Sequence, residues 1–303
     1  MMTSPGVLIF YKPKGMTSFQ SIDAIKHRFN VKKIGHAGTL DPMAEGILPV
    51  LFNDTTKLSS YIMDHDKEYS ATFKLGVATD TYDNDGRVVS ECDISTCDVS
   101  DSHIVSVLQS FVGLINQTPP AYSAIKINGV RSYEHARNNH EIELPARPVM
   151  VHSIALHDVT LPFVRILVAC GKGCYIRSLV HDVGEKLGTH ATLTELIRTR
   201  VGNMMVRDSV SEESLSRVTQ LEPFLKRETD ILSDRFERII VSKETEHYFH
   251  IGNITRAVQE VLRNEHLPKV NGKPIQIVNE KSDLIALVTV NGHDMTVLRV
   301  FNR

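Results

Sequence analysis

Residues 35–50 constrain the fold of this chain more than any other segment. They read Gly-His-Ala-Gly-Thr-Leu-Asp-Pro-Met-Ala-Glu-Gly-Ile-Leu-Pro-Val, a glycine-rich turn that carries an aspartate and continues into an apolar strand. Asp41 precedes a proline, which favours an extended backbone, and the glycines permit turns and close approach that side chains would block. An isolated Asp-Pro pair is usually an ordinary turn. The whole run instead predicts a catalytic loop on a rigid sheet that aims one acid, Asp41.

Length and composition indicate an ordinary globular protein. The chain has 303 residues, of which 42% are hydrophobic and 23% charged, and this length suggests about two domains. The first residues lack the pattern of a secretory signal, and no apolar run approaches the roughly 20 residues that span a bilayer, so we expect a cytoplasmic protein without membrane contact. The four cysteines form no Cys-x-x-Cys pair, and we expect no structural metal.

Charge is unevenly distributed along the chain. The formal net charge of -2 argues against a protein that coats nucleic acid indiscriminately, but a local basic groove is compatible with it. Between residues 10 and 40 the lysines and arginines outnumber the acids, with Asp23 as the single carboxylate. This segment favours a phosphate backbone near the Asp41 loop, and a solvated helix face remains the alternative.

Apolar periodicity outlines the secondary structure. Alternation predicts strands over residues 7–10, 46–52, 68–76, 149–159 and 163–169, and a turn at residues 83–86 suggests a hairpin between the 68–76 strand and residues 87–89. Helical spacing follows a cap at Thr17-Ser18, recurs over residues 101–111, and predicts a helix that ends at the Gly188-Thr189 break. Beyond residue 241, short apolar stretches alternate with turns, which predicts a small β-rich terminal domain.

Several separated blocks, in this order, resemble the TruB-type tRNA pseudouridine synthases, the family that isomerises the uridine at position 55 of the TΨC loop. The resemblance spans residues 6 to about 205. Its anchors are residues 12–18, 35–50, 67–69, 119–131 and 175–179. The terminal domain is only loosely similar to the PUA-like RNA-binding extension of that family. We therefore expect an α+β protein, with a catalytic domain on a mixed, largely antiparallel sheet over residues 1–240 and a PUA-like domain over residues 241–303.

The resemblance also implies roles for individual residues. It makes Asp41 the catalytic carboxylate, which either attacks C1′ of the ribose or removes a sugar proton, and both roles need it ionised. Arg177 would pair with Asp41 and hold its direction. Tyr69 would stack on the flipped uracil and assist proton movement at C5.

Further residues are expected to contact the substrate. Tyr175 would lie near the base or a phosphate, and Leu196 would line the pocket, although an apolar helix residue belongs to the core by default. His36 would contact the RNA and help to extrude the base, and we expect no metal role for it because no second histidine lies nearby at ligand spacing. Lys12 and Lys14 are predicted phosphate contacts, and Lys126 and Arg131 are weaker candidates of the same kind.

The reaction neither gains nor loses atoms, so the resemblance implies no cofactor. The expected partner is the T arm and elbow of tRNA, bound by a monomer. A related synthase that acts on another RNA keeps the same chemistry. A tRNA-folding helper is the alternative from another class, but a carboxylate on an RNA-binding surface would repel phosphates. An aspartate-nucleophile hydrolase leaves the basic segments unexplained.

Overall fold

The computed structural model describes residues 4–123, 126–127, 130–131, 144–263, 272–292 and 294–301. The strands are β1 Gly6–Lys12, β2 Ile34–His36, β3 Glu45–Phe52, β4 Lys67–Leu75, β5 Val77–Thr79, β6 Val88–Glu91, β7 Gly113–Gln117, β8 Lys126–Ile127, β9 Val130–Arg131, β10 Arg147–Thr160, β11 Phe163–Cys170, β12 Ala191–Val201, β13 Met204–Met205, β14 Val210–Ser211, β15 Arg238–Ile240, β16 Pro274–Val278, β17 Leu284–Asn291 and β18 Asp294–Val300. The helices are α1 Ser18–Arg28, α2 Ser59–Met63, α3 Asp101–Gln109, α4 Ile176–Leu187, α5 Glu212–Ser216, α6 Glu228–Ile231, α7 Lys243–His250 and α8 Ile254–Leu262.

One large sheet organises the chain between β1 and β14. Its strands follow the order β14-β1-β3-β12-β4-β11-β10-β7, with β2 added to β3 and β13 added to β12. The pairs β1 with β14 and β12 with β3 are parallel, whereas the neighbouring pairs along β4, β11, β10 and β7 are antiparallel. The mixed, largely antiparallel sheet and the α+β class predicted from the sequence are confirmed.

Helices α3 and α4 cover one face of this sheet. Along β4 the side chains of Ala71, Phe73 and Leu75 are buried, as period-2 alternation requires for a strand with one covered face. They share an apolar cluster with Ile104 of α3 and Val183 of α4. Helix α4 begins after Tyr175 and stops at a left-handed Gly188, where the sequence predicts the break. The packing fixes the start of α4 against the sheet.

Two predictions about strands are wrong. The turn at residues 83–86 does not join β4 to residues 87–89, because β6 pairs with the short β5 while both edges of β4 are occupied by β11 and β12. The sequence reasoning also placed Leu196 on a helix, but it lies in the middle of β12. The spacing of Leu193, Leu196 and Ile197 imitates a helical stripe, and a bulge between β12 and β4 breaks the strand alternation.

The C-terminal region forms its own sheet, in the order β15-β16-β17-β18, with α7 and α8 beside it. The predicted β-rich character is confirmed, but the two helices were missed. Strand β15 ends at Ile240 and pairs with β16, so this sheet begins before the predicted boundary at residue 241. Phe301 and Leu287 of this region share a buried cluster with Val7 and Ile47 of the large sheet. The two sheets therefore have a common core.

No helix in the described part of the chain is both long enough and apolar enough to cross a bilayer.

Candidate active site

Asp41 lies in the loop between β2 and β3, and its backbone neighbours hold this loop from two sides. The hydroxyl of Ser18 accepts from the N–H of Leu40 at 2.9 Å and donates to its carbonyl at 3.0 Å. The N–H of Gly15 donates to the carbonyl of Pro42 at 2.8 Å, and that of Ala44 to the carbonyl of Asp41 at 3.1 Å. The Asp41 side chain keeps 35% of its surface exposed. An accessible carboxylate is thus carried by a fixed backbone.

Gly46 explains why the loop needs glycine where β3 begins. Its φ is +103°, and a Cβ there would lie 2.4 Å from the carbonyl oxygen of Arg198. Any side chain would push β3 away from β12, to which Gly46 is paired. The close approach brings the Asp41 loop against the middle of the sheet.

Arg177 stands in the first turn of α4 and joins the loop to two further segments. Its side chain is 4% exposed, and Nε lies 2.9 Å from Oδ2 of Asp41. Nη1 donates to the carbonyl of Thr81 at 3.1 Å and Nη2 to that of Tyr122 at 2.9 Å. The guanidinium is held by these carbonyls independently of Asp41. It therefore presents a fixed positive charge beside the Asp41 carboxylate.

Asp83 is a second carboxylate on the same guanidinium, and the sequence analysis missed it. Its Oδ2 lies 3.4 Å from Nη1 of Arg177, and Oδ1 accepts from the Thr81 hydroxyl at 2.6 Å and the Asp85 N–H at 3.1 Å. Burial raises the pKa of Asp83, and the Thr81 hydrogen bond and Arg177 oppose that rise. The Asp-Asn-Asp-Gly sequence indicates only a turn, because the partner is nearly a hundred residues away.

Tyr175 interacts with this ion pair, and Tyr69 interacts with Arg198 of β12. Tyr69 is half-buried on β4, and burial raises its pKa to about 12, against the opposing charge of Arg198. Tyr175 caps the start of α4, where its N–H donates to the Gln117 side chain at 2.8 Å. Burial also raises the pKa of Tyr175, and Asp41 adds to that rise. Both phenols are therefore protonated at neutral pH and available as hydrogen-bond donors.

Arg198 of β12 is the second residue that the sequence analysis missed. Its side chain is 2% exposed. Nε donates to the carbonyl of Ile47 at 2.7 Å, Nη2 to that of Gly38 at 3.0 Å and Nη1 to that of Thr39 at 3.5 Å. It also hydrogen-bonds the Tyr69 side chain. No sequence signal marked it, since the strand itself was not recognised.

The remaining predicted residues occupy different environments. His36 is half-buried at the end of β2, where burial and the charge of Arg198 lower its pKa, so the ring is neutral at pH 7. Leu196 is 6% exposed and belongs to the apolar cluster against which Tyr69 packs. Asp41, Arg177 and Tyr175 thus interact with one another, and Arg198 interacts with Asp41, Tyr69 and His36.

The prediction that Lys12 contacts phosphate is wrong. Its side chain is 0% exposed, and Nζ donates to the carbonyls of Pro13, Met16 and Pro42 at 2.9, 2.6 and 3.4 Å. An ammonium has three donors, and these carbonyls occupy all of them. Lys12 ties the segment after β1 to the Asp41 loop.

Lys14 is exposed and stays a predicted phosphate contact. It lines an open cleft of about 590 Å³ together with Thr72 and Lys74, which lie on the face of β4 opposite Tyr69. The side chains of Lys126 and Arg131 lie outside the described residues. Within the described ranges, no three or more His, Cys, Asp or Glu side chains are grouped to hold a metal ion.

Family models match most of the chain. Residues 26–176 match the N-terminal domain of the TruB family pseudouridylate synthases, and residues 177–240 match the C-terminal domain of tRNA pseudouridylate synthase B. The tRNA pseudouridine synthase B of Clostridium tetani is 40% identical over 282 residues, which cover 93% of this chain and 94% of that protein. This chain belongs to the TruB family.

Other relatives agree with this membership. The tRNA pseudouridine synthase B of Syntrophus aciditrophicus is 38% identical over 286 residues, covering 93% of this TruB-family chain and 90% of that protein. A solved Cbf5-Nop10-Gar1 complex contains a chain that superposes with a TM-score of 0.71 at 23% identity, covering 98% of this chain and 85% of the other. At that identity the structural likeness shows a shared fold.

Proposed function

We propose that this protein converts uridine to pseudouridine at position 55 in the TΨC loop of tRNA. The observation that carries the proposal is the half-exposed carboxylate of Asp41, held 2.9 Å from the buried Arg177 in a TruB-family chain. The relatives named tRNA pseudouridine synthase B support tRNA as the substrate. The reaction is an isomerisation that detaches uracil from C1′ and reattaches it through C5.

Cleavage at C1′ develops positive charge on the ribose, which an ionised carboxylate stabilises or captures. Asp41 either adds to C1′ or removes a neighbouring sugar proton, and each role needs it ionised. Arg177 favours that ionised form and is itself held by Thr81 and Tyr122, so it keeps its position when the carboxylate moves toward the sugar. Asp83 also forms an ion pair with Arg177, and the guanidinium therefore interacts with two carboxylates.

The target uracil must leave the base stack to reach Asp41. In this proposal Tyr69 stacks against the flipped base and moves the proton that C5 loses. Tyr175 donates a hydrogen bond to the base or a phosphate, and Leu196 forms the apolar floor below Tyr69. His36 contacts the RNA at the rim, and Lys14 adds salt-sensitive affinity for phosphate.

The isomerisation conserves atoms and electrons, so the proposal needs no cofactor. The protein acts as a monomer in the cytoplasm, and the C-terminal domain of residues 241–303 contributes to RNA binding.

The test follows tritium release from a tRNA transcript that contains C5-tritiated uridine, because the new C–C bond replaces that hydrogen. Wild-type protein should release tritium, whereas Asp41→Asn should bind the same transcript with similar affinity and release none. A transcript with cytidine at position 55 is the matched substrate control.

If the wild-type protein released as much tritium from the cytidine-55 transcript as from the uridine-55 transcript, the reaction would take place at another uridine. Tight tRNA binding by the wild type without any tritium release would refute the enzyme proposal and favour a tRNA-folding helper.

A further inference from the structure

Arg198 is among the largest fully buried side chains of this structure, and it lies in the strand between the Asp41 loop and Tyr69. On β12 it is paired with Gly46 on one side and with Tyr69 on the other. The side chain is 2% exposed, so it has no surface from which to contact RNA directly. Any influence on the reaction must pass through its neighbours.

The guanidinium binds the backbone on both sides of Asp41. Two of its acceptors, the carbonyls of Gly38 and Thr39, lie three and two residues before Asp41. The third, Ile47, is the second residue after Glu45, where β3 begins. A planar guanidinium that bonds three carbonyls in fixed directions restricts the path of the loop between them. The direction of the Asp41 carboxylate follows from that path.

Gly38 shows that the loop is shaped around this arginine. Its φ is +95°, and a Cβ there would lie 3.4 Å from Nη1 of Arg198. The left-handed backbone turns the Gly38 carbonyl toward Nη2 at 3.0 Å. The left-handed backbone of Gly38 and the buried guanidinium of Arg198 are thus in contact three residues before Asp41.

Burying a cation in a core beside neutral acceptors carries a large desolvation cost. Carbonyl oxygens satisfy the N–H groups of Arg198 but leave its positive charge, and a hydrophobic side chain of similar volume often serves stability equally well. Burial lowers the pKa of His36, Lys12 and Lys67, and the charge of Arg198 adds to that lowering in each case. Burial also lowers the pKa of Arg198 itself, and Tyr69 and Asp41 oppose that change. Asp41 and Tyr69, which interact favourably with the charge of Arg198, are the predicted acid and the predicted stacking phenol.

The bond to Tyr69 has a directional consequence. A guanidinium has no acceptor, so it must donate to the phenolic oxygen. The Tyr69 proton is then left to point elsewhere, and a developing phenolate would be stabilised by the cation beside it.

We propose that Arg198 is a positioning residue for the isomerisation: it fixes the backbone that aims Asp41 and orients the hydroxyl of Tyr69, without touching the RNA. This inference rests on the proposed function. It predicts that loss of the guanidinium slows the chemical step while tRNA binding is kept.

The experiment compares Arg198→Met and Arg198→Lys with wild type in single-turnover tritium release at saturating enzyme, with tRNA dissociation constants measured in parallel. Arg198→Met should react about 100-fold more slowly, the usual order for loss of an oriented donor group, and Arg198→Lys about 10-fold more slowly. Dissociation constants should stay within about threefold of wild type, because no RNA contact is removed. Arg200→Met is the matched control, since Arg200 lies two residues along β12 and pairs with Glu68 at 2.8 Å.

A double-mutant comparison separates positioning from general structural support. If Arg198 acts partly through Tyr69, Arg198→Met should slow a Tyr69→Phe protein less than it slows wild type. All rates are measured at a temperature at which circular dichroism shows each variant to be folded. If Arg198→Met does not fold, the rate of Arg198→Lys decides the test.

Three results would overturn the inference: a wild-type rate in Arg198→Lys or in folded Arg198→Met, a rate loss fully matched by weaker tRNA binding, or equal losses with and without Tyr69. Absence of tritium release from wild type would instead refute the proposed function.

Discussion

The burial of Lys12 predicts how the free energy of unfolding changes with pH. Its ammonium is buried beneath the Asp41 loop and bonded to three backbone carbonyls. Burial lowers its pKa from 10.5 to about 8, partly opposed by the charges of Asp41 and Glu45. Between these two values the unfolded chain holds a proton on Lys12 that the folded protein has released. Unfolding therefore takes up a proton, and the protein should become more stable as the pH rises.

The size of the effect follows from the two pKa values. Between pH 7 and pH 9.5 the contribution of Lys12 to the free energy of unfolding should rise by about 2 kcal/mol. Burial lowers the pKa of Lys67 to about 8 as well, so that residue adds a similar rise in every variant that keeps it. Lys12→Met should remove about half of the combined lysine effect.

The assay is urea unfolding at 25 °C, followed by far-UV circular dichroism at pH 7 and pH 9.5 with equal ionic strength. Wild type and the exposed neighbour variant Lys14→Met should gain stability equally between the two pH values. Lys12→Met should gain about 2 kcal/mol less. An unchanged gain in Lys12→Met would show that the ammonium is hydrated, and would restore Lys12 as a candidate for phosphate contact.

Three further predictions concern the site. Arg177→Met should leave the buried Asp83 and the partly exposed Asp41 without their cation. It should lower the free energy of unfolding by roughly 3–5 kcal/mol in urea titrations and reduce tritium release by roughly 10³-fold or more; a near-normal rate would refute the ion-pair role. Lys14→Met should reduce the slope of log affinity for tRNA against log salt by about 1, whereas Lys12→Met should leave that slope unchanged; equal slopes in both variants would contradict the assignment. Gly46→Ala should cost at least about 2 kcal/mol of stability and slow the reaction, because its Cβ meets the Arg198 carbonyl, and a crystal structure with an undisturbed β3 would disprove that clash.

The sequence predicted those site residues that lie in recognisable local patterns. Asp41 was found because glycines, a proline and an apolar strand surround it, and Arg177 because it follows Tyr175 in a known block. The structure places their side chains 2.9 Å apart. Their joint appearance in the resemblance was enough to pair them, although 135 residues separate them in the chain.

Asp83 and Arg198 could not be predicted in the same way. The local sequence of Asp83 is that of a common turn, and its role depends on a helix that folds onto it from much later in the chain. Arg198 lies on a strand whose bulge gives its apolar residues a helix-like spacing. Lys12 was mistaken for a surface charge because sequence does not show which lysine of a basic segment turns inward. All three errors concern long-range burial, which local patterns do not encode.

The core shared by the two sheets has a consequence for biosynthesis. Val7 of β1 and Ile47 of β3 are made early, whereas Leu287 and Phe301 of the same cluster follow more than 200 residues later. A ribosome adds about 5–20 residues per second, so the earliest strands wait at least ten seconds or so for their apolar partners. During that interval the face of β1 and β3 is open to chaperones and to other nascent chains. Completion of the core that supports β3 and the Asp41 loop is therefore tied to the emergence of the C-terminal sheet. A stalled or prematurely terminated chain would leave the apolar face of β1 and β3 exposed.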